Sequence, residues 1–212
     1  MAKKLFWDDP YARECQATVI SITGKEVKLD GTIFYAFSGG QESDSGTIGG
    51  INVEEARKEG EDLLYILEKE PPFKEGDVVD VKIDWEKRYK IMKLHSATHV
   101  VFSLFSEKTG VKKLIGSNIT SEKGRVDFEY PESVAQLLPG IEERANEMFS
   151  QDNEIRTYAD EKDPGRRLWQ CGNILYPCGG THPKSTKEIG KITLKRKNIG
   201  KGKERIEVYL AK

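Results

Sequence analysis

The sequence is short of the side chains that most often carry redox or metal chemistry. Its 212 residues include three cysteines, Cys15, Cys171 and Cys178, and three histidines, His95, His99 and His182. An odd, sparse set of cysteines argues against a disulfide framework. In a reducing compartment each is a buried thiol, a metal ligand or a nucleophile. No apolar run approaches the roughly 18 residues of a membrane span, so no membrane partner is expected. The opening MAKKLFWDDPYARE turns acidic and aromatic too soon for a signal peptide, so a cytosolic protein is expected. Charge of one sign is also missing. The formal net charge is only -1, which excludes an overall polycation but not a local basic face.

A phosphate-binding loop is missing too, although one segment resembles one at first sight. The stretch FSGGQESDSGTIGG, Phe37 to Gly50, carries five glycines. Gly40 and Gly46 enclose five residues rather than the four of a G-x-x-x-x-G-K-[ST] loop, and Thr47 stands where the lysine belongs. No G-x-G occurs there. Glu42 and Asp44 place negative charge where a phosphate would sit, with no compensating Lys or Arg in the segment. A plain flexible linker fits poorly with Gln41, Glu42 and Asp44.

What is present falls into two parts. Residues 1–88 read as a small antiparallel β-barrel. CQATVISITGKEVKLDGTIFYAF is β-branched and apolar, broken by Gly24 and Gly31, with KLDG as a turn. EDLLYILEKE and VVDVKIDW read as strands, the second with Val79, Val81, Ile83 and Trp85 in period two. Residues 89–212 read as an α+β domain. Ile91, Leu94, Thr98, Val101 and Phe105 recur at helical steps, predicting a helix over Tyr89 to Ser106 closed by Gly110. A second helix is predicted from ESVAQLLP to IEERANEMFSQ, interrupted at Pro139-Gly140. KLIGSNITSEKGRVDFEY reads as two strands, and the tail KITLKRKNIGKGKERIEVYLAK as a hairpin.

On the predicted helix, HSATH sets His95 and His99 four residues apart, so both imidazoles project from one face. Two such nitrogens suit one zinc ion, although a surface histidine pair reads the same way. In PCGGTHP, Cys178 and His182 are also four apart, with Gly179 and Gly180 permitting a tight turn between Pro177 and Pro183. Every histidine and one cysteine thus fall into two pairs, which together supply up to four ligands for one zinc per chain. A metalloprotease is disfavoured, because Ser96 stands where H-E-x-x-H needs its Glu. A zinc deaminase wants H-x-E and P-C-x-x-C, which are absent. Thr98 lies three residues after His95 on the ligand face. Its hydroxyl either meets whatever sits beside the metal or bonds its own backbone. Ser96 and Ala97 are expected to point elsewhere.

HSATH followed by PCGGTHPKSTKEIG resembles the editing domain of alanyl-tRNA synthetase, and more closely the freestanding AlaX-type alanyl-tRNA editing proteins of medium length. The resemblance runs through GSNI, KGRVDFEY, IEERANE and RIEVYL, and it includes FYAFSGGQESDSG and VKIDWEKRY. It implies zinc at His95, His99, Cys178 and His182, and a barrel ahead of the editing domain. It also implies hydrolysis in trans of the ester joining serine, with glycine as a further candidate, to tRNA(Ala). Leu114 holds a position where the synthetase domain commonly has Gln, so no role of that Gln carries over.

Under this resemblance Thr98 is the candidate sensor of the serine hydroxyl. Gly39, Gly40, Gln41, Asp44 and Thr181 are candidate pocket residues, with the glycine-rich loop as one wall. Zinc would either activate water or orient the α-amine of the substrate, and the second role is favoured. From Lys184 to Arg205 nine Lys or Arg residues face two acids, so Lys195, Arg196, Lys197, Lys201, Lys203 and Arg205 are candidate RNA contacts. Two other readings stand beside this one: a zinc-stapled RNA-binding module without hydrolytic activity, and editing of another aminoacyl-tRNA such as Ser-tRNA(Thr). A homodimer is left open.

Overall fold

The structure is a computed structural model that describes residues 2–60 and 62–211. The chain separates into two compact units. One comprises the residues up to Ser38 together with Glu42–Tyr89, and the other Gly39–Gln41 together with Lys90 onward.

In the first unit the strands are β1 (Lys3–Lys4), β2 (Glu14–Thr23), β3 (Glu26–Leu29), β4 (Gly31–Thr32), β5 (Gly46–Ile48), β6 (Ile51–Glu59), β7 (Asp62–Leu67) and β8 (Val78–Ile83). Strands β2-β3-β7-β6-β5-β8 pair in that order and close into a barrel, every pairing antiparallel. A closed ring leaves no open sheet edge. The period-two pattern of β8 is realised, with Val79, Val81 and Ile83 buried and the alternate residues exposed. The interior is filled by Val27, Ile33, Phe34, Ile48, Tyr65 and Leu67. The Tyr65 hydroxyl donates to Thr32 Oγ1 at 2.6 Å, so the buried phenol of this core has a partner.

All five glycines of the 37–50 segment have positive φ, from 56° to 156°, which explains why no other residue type occupies these positions. Asp44, expected as a pocket residue, has a different engagement. Its carboxylate accepts from Tyr35 N–H at 2.6 Å and from Arg88 Nε at 2.8 Å, with a second, short contact from Arg88 Nη2. Arg88 also donates to the Ile33 carbonyl at 2.6 Å and the Pro10 carbonyl at 3.4 Å. Both side chains of this pair are fully buried. Glu42 is not left without a base either, since Lys87 lies 3.0 Å away.

Helix α1 (Trp85–Thr109) starts four residues before the predicted Tyr89. Asp84 caps it by accepting the Lys87 N–H at 3.0 Å. Trp85 continues the strand alternation in sequence but belongs to the helix, where it stacks on Tyr89 one turn later. At the other end Gly110 takes a φ of 76° and donates to the Ser106 carbonyl, a left-handed stop.

The second unit holds most of α1, together with β9 (Gly116–Ile119), β10 (Gly124–Glu129), α2 (Leu138–Ser150), β11 (Ile155–Ala159), β12 (Arg167–Cys171), β13 (Ile174–Pro177), β14 (Ile192–Gly200) and β15 (Lys203–Leu210). Pro139 does not interrupt α2; it lies in the helix's first turn, where a missing N–H costs nothing. One antiparallel sheet runs β14-β15-β10-β9, and a second runs β11-β12-β13. The second sheet has no counterpart among the sequence expectations. Ile91, Leu94, Ala97, Val101 and Phe105 of α1 share one core with Val126, Phe128, Ile206 and Val208 of the first sheet and Trp169 of the second. The Phe105 and Phe128 rings lie 4.1 Å apart in that core. The helical period of α1 is thus the stripe the core needs, and it leaves His95 and His99 on the helix as polar exceptions.

Candidate metal centre

The four residues paired by the sequence come together. His95, His99, Cys178 and His182 place one ligand atom each within 4.8 Å of one another. Two elements do this. Helix α1 presents His95 and His99 one turn apart, with ring centroids 4.8 Å from each other. Strand β13 delivers Cys178, whose N–H donates to the Arg167 carbonyl at 2.9 Å just as the sheet ends. The CGGTH turn then returns His182 to the same spot.

Gly180 of that turn acts through space rather than through φ. It does not have a positive φ. A Cβ on Gly180, however, would stand 2.4 Å from His95 Cε1 and 2.5 Å from Gln41 Oε1. Any larger residue there would push the turn off the histidine.

The donor set fits a zinc-like ion. Cys178 Sγ lies 3.4 Å from His95 Nε2 and 3.2 Å from His182 Nε2. A sulfur and a nitrogen on one tetrahedral zinc stand about 3.6 Å apart, from bond lengths of about 2.3 and 2.1 Å. His99 Nε2 is buried and has no hydrogen-bond partner among the described residues. A desolvated ring nitrogen without a partner is what a ligand looks like when its cation is left out of account. The mix of three imidazoles and one thiolate also suits zinc better than calcium or magnesium, which take oxygen ligands.

Electrostatics point the same way. Burial pushes His95 down to about 3, and burial with neighbouring imidazoles holds His99 and His182 well below the usual histidine range. All three therefore keep lone pairs at neutral pH, which ligation requires. Burial pushes the Cys178 thiol up to about 11, opposed by the Gly180 backbone N–H. A thiolate here asks for a compensating positive charge, the service a divalent ion performs.

Around the ligands stands a ring of supporting groups. Trp169 of β12 and Tyr176 of β13 face His99, with centroids 4.7 and 5.3 Å away. The unforeseen three-stranded sheet thus supplies an aromatic wall. Ser96, expected to point elsewhere, is fully buried, and its Oγ lies 2.9 Å from His182 Nδ1 and accepts from Trp169 Nε1 at 3.2 Å. Ser96 sits three residues before His99 and so shares that helical face, a signal the spacing of the histidines already contained.

Gln41 is fully buried. Its Oε1 accepts the Thr181 N–H at 3.0 Å and stands 2.9 Å from His95 Nδ1, while its Nε2 donates to Thr181 Oγ1 at 3.0 Å. Gly40 is held on the edge of β9, its carbonyl accepting from Ile119 N–H at 2.7 Å and Asn118 Nδ2 at 3.1 Å. A Cβ on Gly40 would stand 2.7 Å from the Ser117 carbonyl oxygen, whereas Gly39 faces open space. The Thr98 hydroxyl donates to the Leu94 carbonyl at 2.6 Å and lies against Gly124, whose added Cβ would reach within 2.1 Å of it. Of the two dispositions open to Thr98, the backbone bond is the one formed.

The six cationic candidates divide. Lys195 and Lys197 are exposed, on the face of the sheet that also carries Arg205, Glu207 and Tyr209. Lys195 stands 5.0 Å over the Tyr209 ring. Lys201 and Lys203 are exposed at the hairpin turn. Arg196, which is also exposed, and the half-buried Arg205 are ion-paired within the fold. Arg196 pairs with Glu204 through two bonds of 2.6 Å, and Arg205 pairs with Asp127 at 2.6 and 2.9 Å. A charge neutralised in this way contributes little to binding a polyanion. No helix is long and apolar enough to cross a membrane among the described residues.

Residues 167–207 match the family described as threonyl and alanyl tRNA synthetase second additional domain. Alanyl-tRNA editing protein AlaX-M of Pyrococcus horikoshii is 39% identical over 215 residues, covering 99% of this chain and 98% of the relative. The protein of the same name from Saccharolobus solfataricus is 32% identical, covering 97% of this chain and 98% of the relative. The alanine–tRNA ligase of Methanococcus maripaludis is 35% identical, but the chain spans only 25% of its length. With a full-length match on both sides and the HxxxH and CxxxH residues gathered at one point, the chain belongs to the family of alanyl-tRNA editing proteins of the AlaX-M type.

Proposed function

We propose that this protein edits in trans, hydrolysing the ester that joins a wrong amino acid, serine above all and glycine as a second substrate, to tRNA(Ala). The observation that carries the reading is the convergence of His95, His99, Cys178 and His182 in a desolvated cluster, in a chain of the alanyl-tRNA editing family. In this reading residues 89–212 form the editing domain and residues 1–88 the accompanying barrel. Zinc, one per chain, is the ion its sulfur and nitrogen donors favour. When bound it would supply a Lewis acid able to orient the α-amine or polarise the ester.

The chain's own residues set the rest. Water adds to the ester carbonyl, the bond to the terminal ribose oxygen breaks, and that oxygen leaves with a proton. HSATH and CGGTH offer no carboxylate to act as base, so the ribose hydroxyl next to the ester is the nearest group to assist. Burial by Trp169 and Tyr176 keeps bulk water away from His99 and strengthens every polar contact inside. Thr98 is the proposed reader of serine. Its proton goes to the Leu94 carbonyl, so its oxygen remains to accept from the substrate hydroxyl. A site that bonds a substrate hydroxyl rejects the analogue lacking it by about 10⁴ or more, which would spare Ala-tRNA(Ala). Lys195, Lys197, Lys201 and Lys203 are the proposed contacts to the RNA backbone.

A second reading has an observation in its favour. Four protein ligands can close a tetrahedron and leave no open position, as in a purely structural zinc site. One experiment separates the two. Ser-, Gly- and Ala-tRNA(Ala) are incubated with the protein before and after metal chelation, and ester loss is measured. Metal-dependent loss of Ser-tRNA(Ala) with Ala-tRNA(Ala) spared is expected. Retention of the ester, together with metal-stabilised RNA binding, would establish the structural reading instead.

A further inference from the structure

We infer that Gln41 is a positioning residue for the metal centre: its side-chain oxygen locks His95 in the Nδ1–H tautomer, which leaves Nε2 as the lone-pair donor on the cluster side. The inference deepens the metal reading above and rests on it only for its consequence.

The argument starts from a group with no choice. The Thr181 backbone N–H can only donate, and it meets Gln41 at 3.0 Å. The atom it meets must therefore be the amide oxygen, not the amide nitrogen, because two donors would otherwise face each other. The nitrogen end agrees, since Nε2 meets the Thr181 hydroxyl oxygen at 3.0 Å. With the amide orientation fixed by that backbone N–H and compatible with the hydroxyl, Oε1 is also the atom 2.9 Å from His95 Nδ1. An oxygen acceptor at that distance requires a proton on Nδ1. A neutral imidazole holds one proton, so Nε2 is bare. Nε2 is the atom that stands 3.4 Å from Cys178 Sγ.

The site is built around this contact. Gln41 has no solvent exposure. Its neighbour Gly40 is fastened to the edge of β9 by Ile119 N–H and Asn118 Nδ2, so the amide does not choose its own place. Gly180 leaves the gap through which Gln41 Oε1 and the His95 ring meet, because a Cβ there would lie 2.5 Å from one and 2.4 Å from the other. The two lone pairs of Oε1 are both used, by Thr181 and His95. Gln41 thus offers no acceptor to a substrate, and its role is to hold the histidine ring.

The test reads the tautomer directly. Metal-free protein with ¹⁵N-labelled histidine is examined by long-range ¹H–¹⁵N correlation, and zinc affinity is measured by chelator competition. In the wild type, His95 is expected as the Nδ1–H tautomer before any metal is added. Gln41→Met, similar in size but unable to accept, should give a tautomer mixture and weaken zinc binding about 10–100-fold, the usual cost of losing an outer partner of a ligating histidine. Gln41→Glu retains an acceptor for both Thr181 N–H and His95 and should keep the tautomer, with affinity within a few-fold of wild type. Finding His95 in the Nε2–H form in the wild type overturns the inference. So does a Met variant with unchanged tautomer and affinity, or a Glu variant as impaired as Met. If Met does not fold, the wild-type tautomer and the Glu variant still decide. A wild type that takes up no zinc but shows the Nδ1–H form would remove the metal reading and leave the lock standing.

Discussion

Two polar clusters are buried in this protein, and they are buried on opposite terms. In the first unit, Asp44 and Arg88 meet with unlike charge, and Arg88 makes four hydrogen bonds to the Asp44 carboxylate and to backbone carbonyls. That cluster is complete from within. In the second unit, His95, His99, Cys178 and His182 are all lone-pair donors of the same kind, and His99 Nε2 has no partner among the described residues. That cluster could hold a cation from outside. A close-packed interior tolerates either arrangement, but only the second advertises a ligand.

The contrast is broken most forcibly at Asp44. Asp44→Ala leaves a buried guanidinium with no carboxylate, and removal of one partner of a buried pair costs about 3–5 kcal/mol. Urea unfolding should show that loss. Asp44→Ala combined with Arg88→Met should recover most of it, because the buried charge leaves with its partner. A single variant within about 0.5 kcal/mol of wild type, the range of ordinary surface changes, would show that the pair is not what holds this segment.

The metal cluster should answer to a different reagent. Zinc at 100 to 1,000 times its dissociation constant stabilises a folded site by about 2.7–4.1 kcal/mol. Chelation should remove that stabilisation from the wild type and have no effect on Cys178→Ser once its weakened site is empty. The Asp44→Ala background should respond to chelation as the wild type does, since it lacks none of the ligands. An unfolding curve indifferent to zinc and chelator would collapse the distinction between the two clusters.

How much of this could be read from the chain follows from the range of each interaction. The candidate ligands were legible because HSATH and CGGTH state local spacings in rare residue types, and a helix converts a spacing of four into a shared face. The strands of the first unit were legible from alternation, as in Val79, Val81 and Ile83. Trp85 misled because alternation and helix entry overlap at one residue, and the Asp84 cap is the local signal that decides. Partner identity was not legible. Gln41 meets His95 from 54 positions away, and Asp44 meets Arg88 from 44, distances at which no periodicity speaks. Ser96 falls between the cases, since its helical face was readable but its bond to His182 was not.

The same distinction between satisfied and unsatisfied groups gives the smallest and most local prediction, on the β14–β15 hairpin. Its sequence offers a run of cations, but the fold has already paired two of them. Arg196, though exposed itself, lies opposite Ile206 and gives two bonds of 2.6 Å to the buried Glu204. Lys195 and Lys197 point the other way, exposed. If the hairpin touches the RNA backbone, each lost phosphate contact lowers the slope of log affinity against log salt by about 1. Lys195→Gln with Lys197→Gln should therefore weaken tRNA binding, flatten its salt dependence and leave unfolding near wild type. Arg196→Gln should do the reverse: it leaves the buried Glu204 with only the long bond from Asn198 Nδ2 and lowers stability, while the salt slope stays put. Equal slopes for the lysine pair and the wild type would move RNA contact off this face. A flattened slope for Arg196→Gln would mean that a group paired within the fold is still available to the RNA.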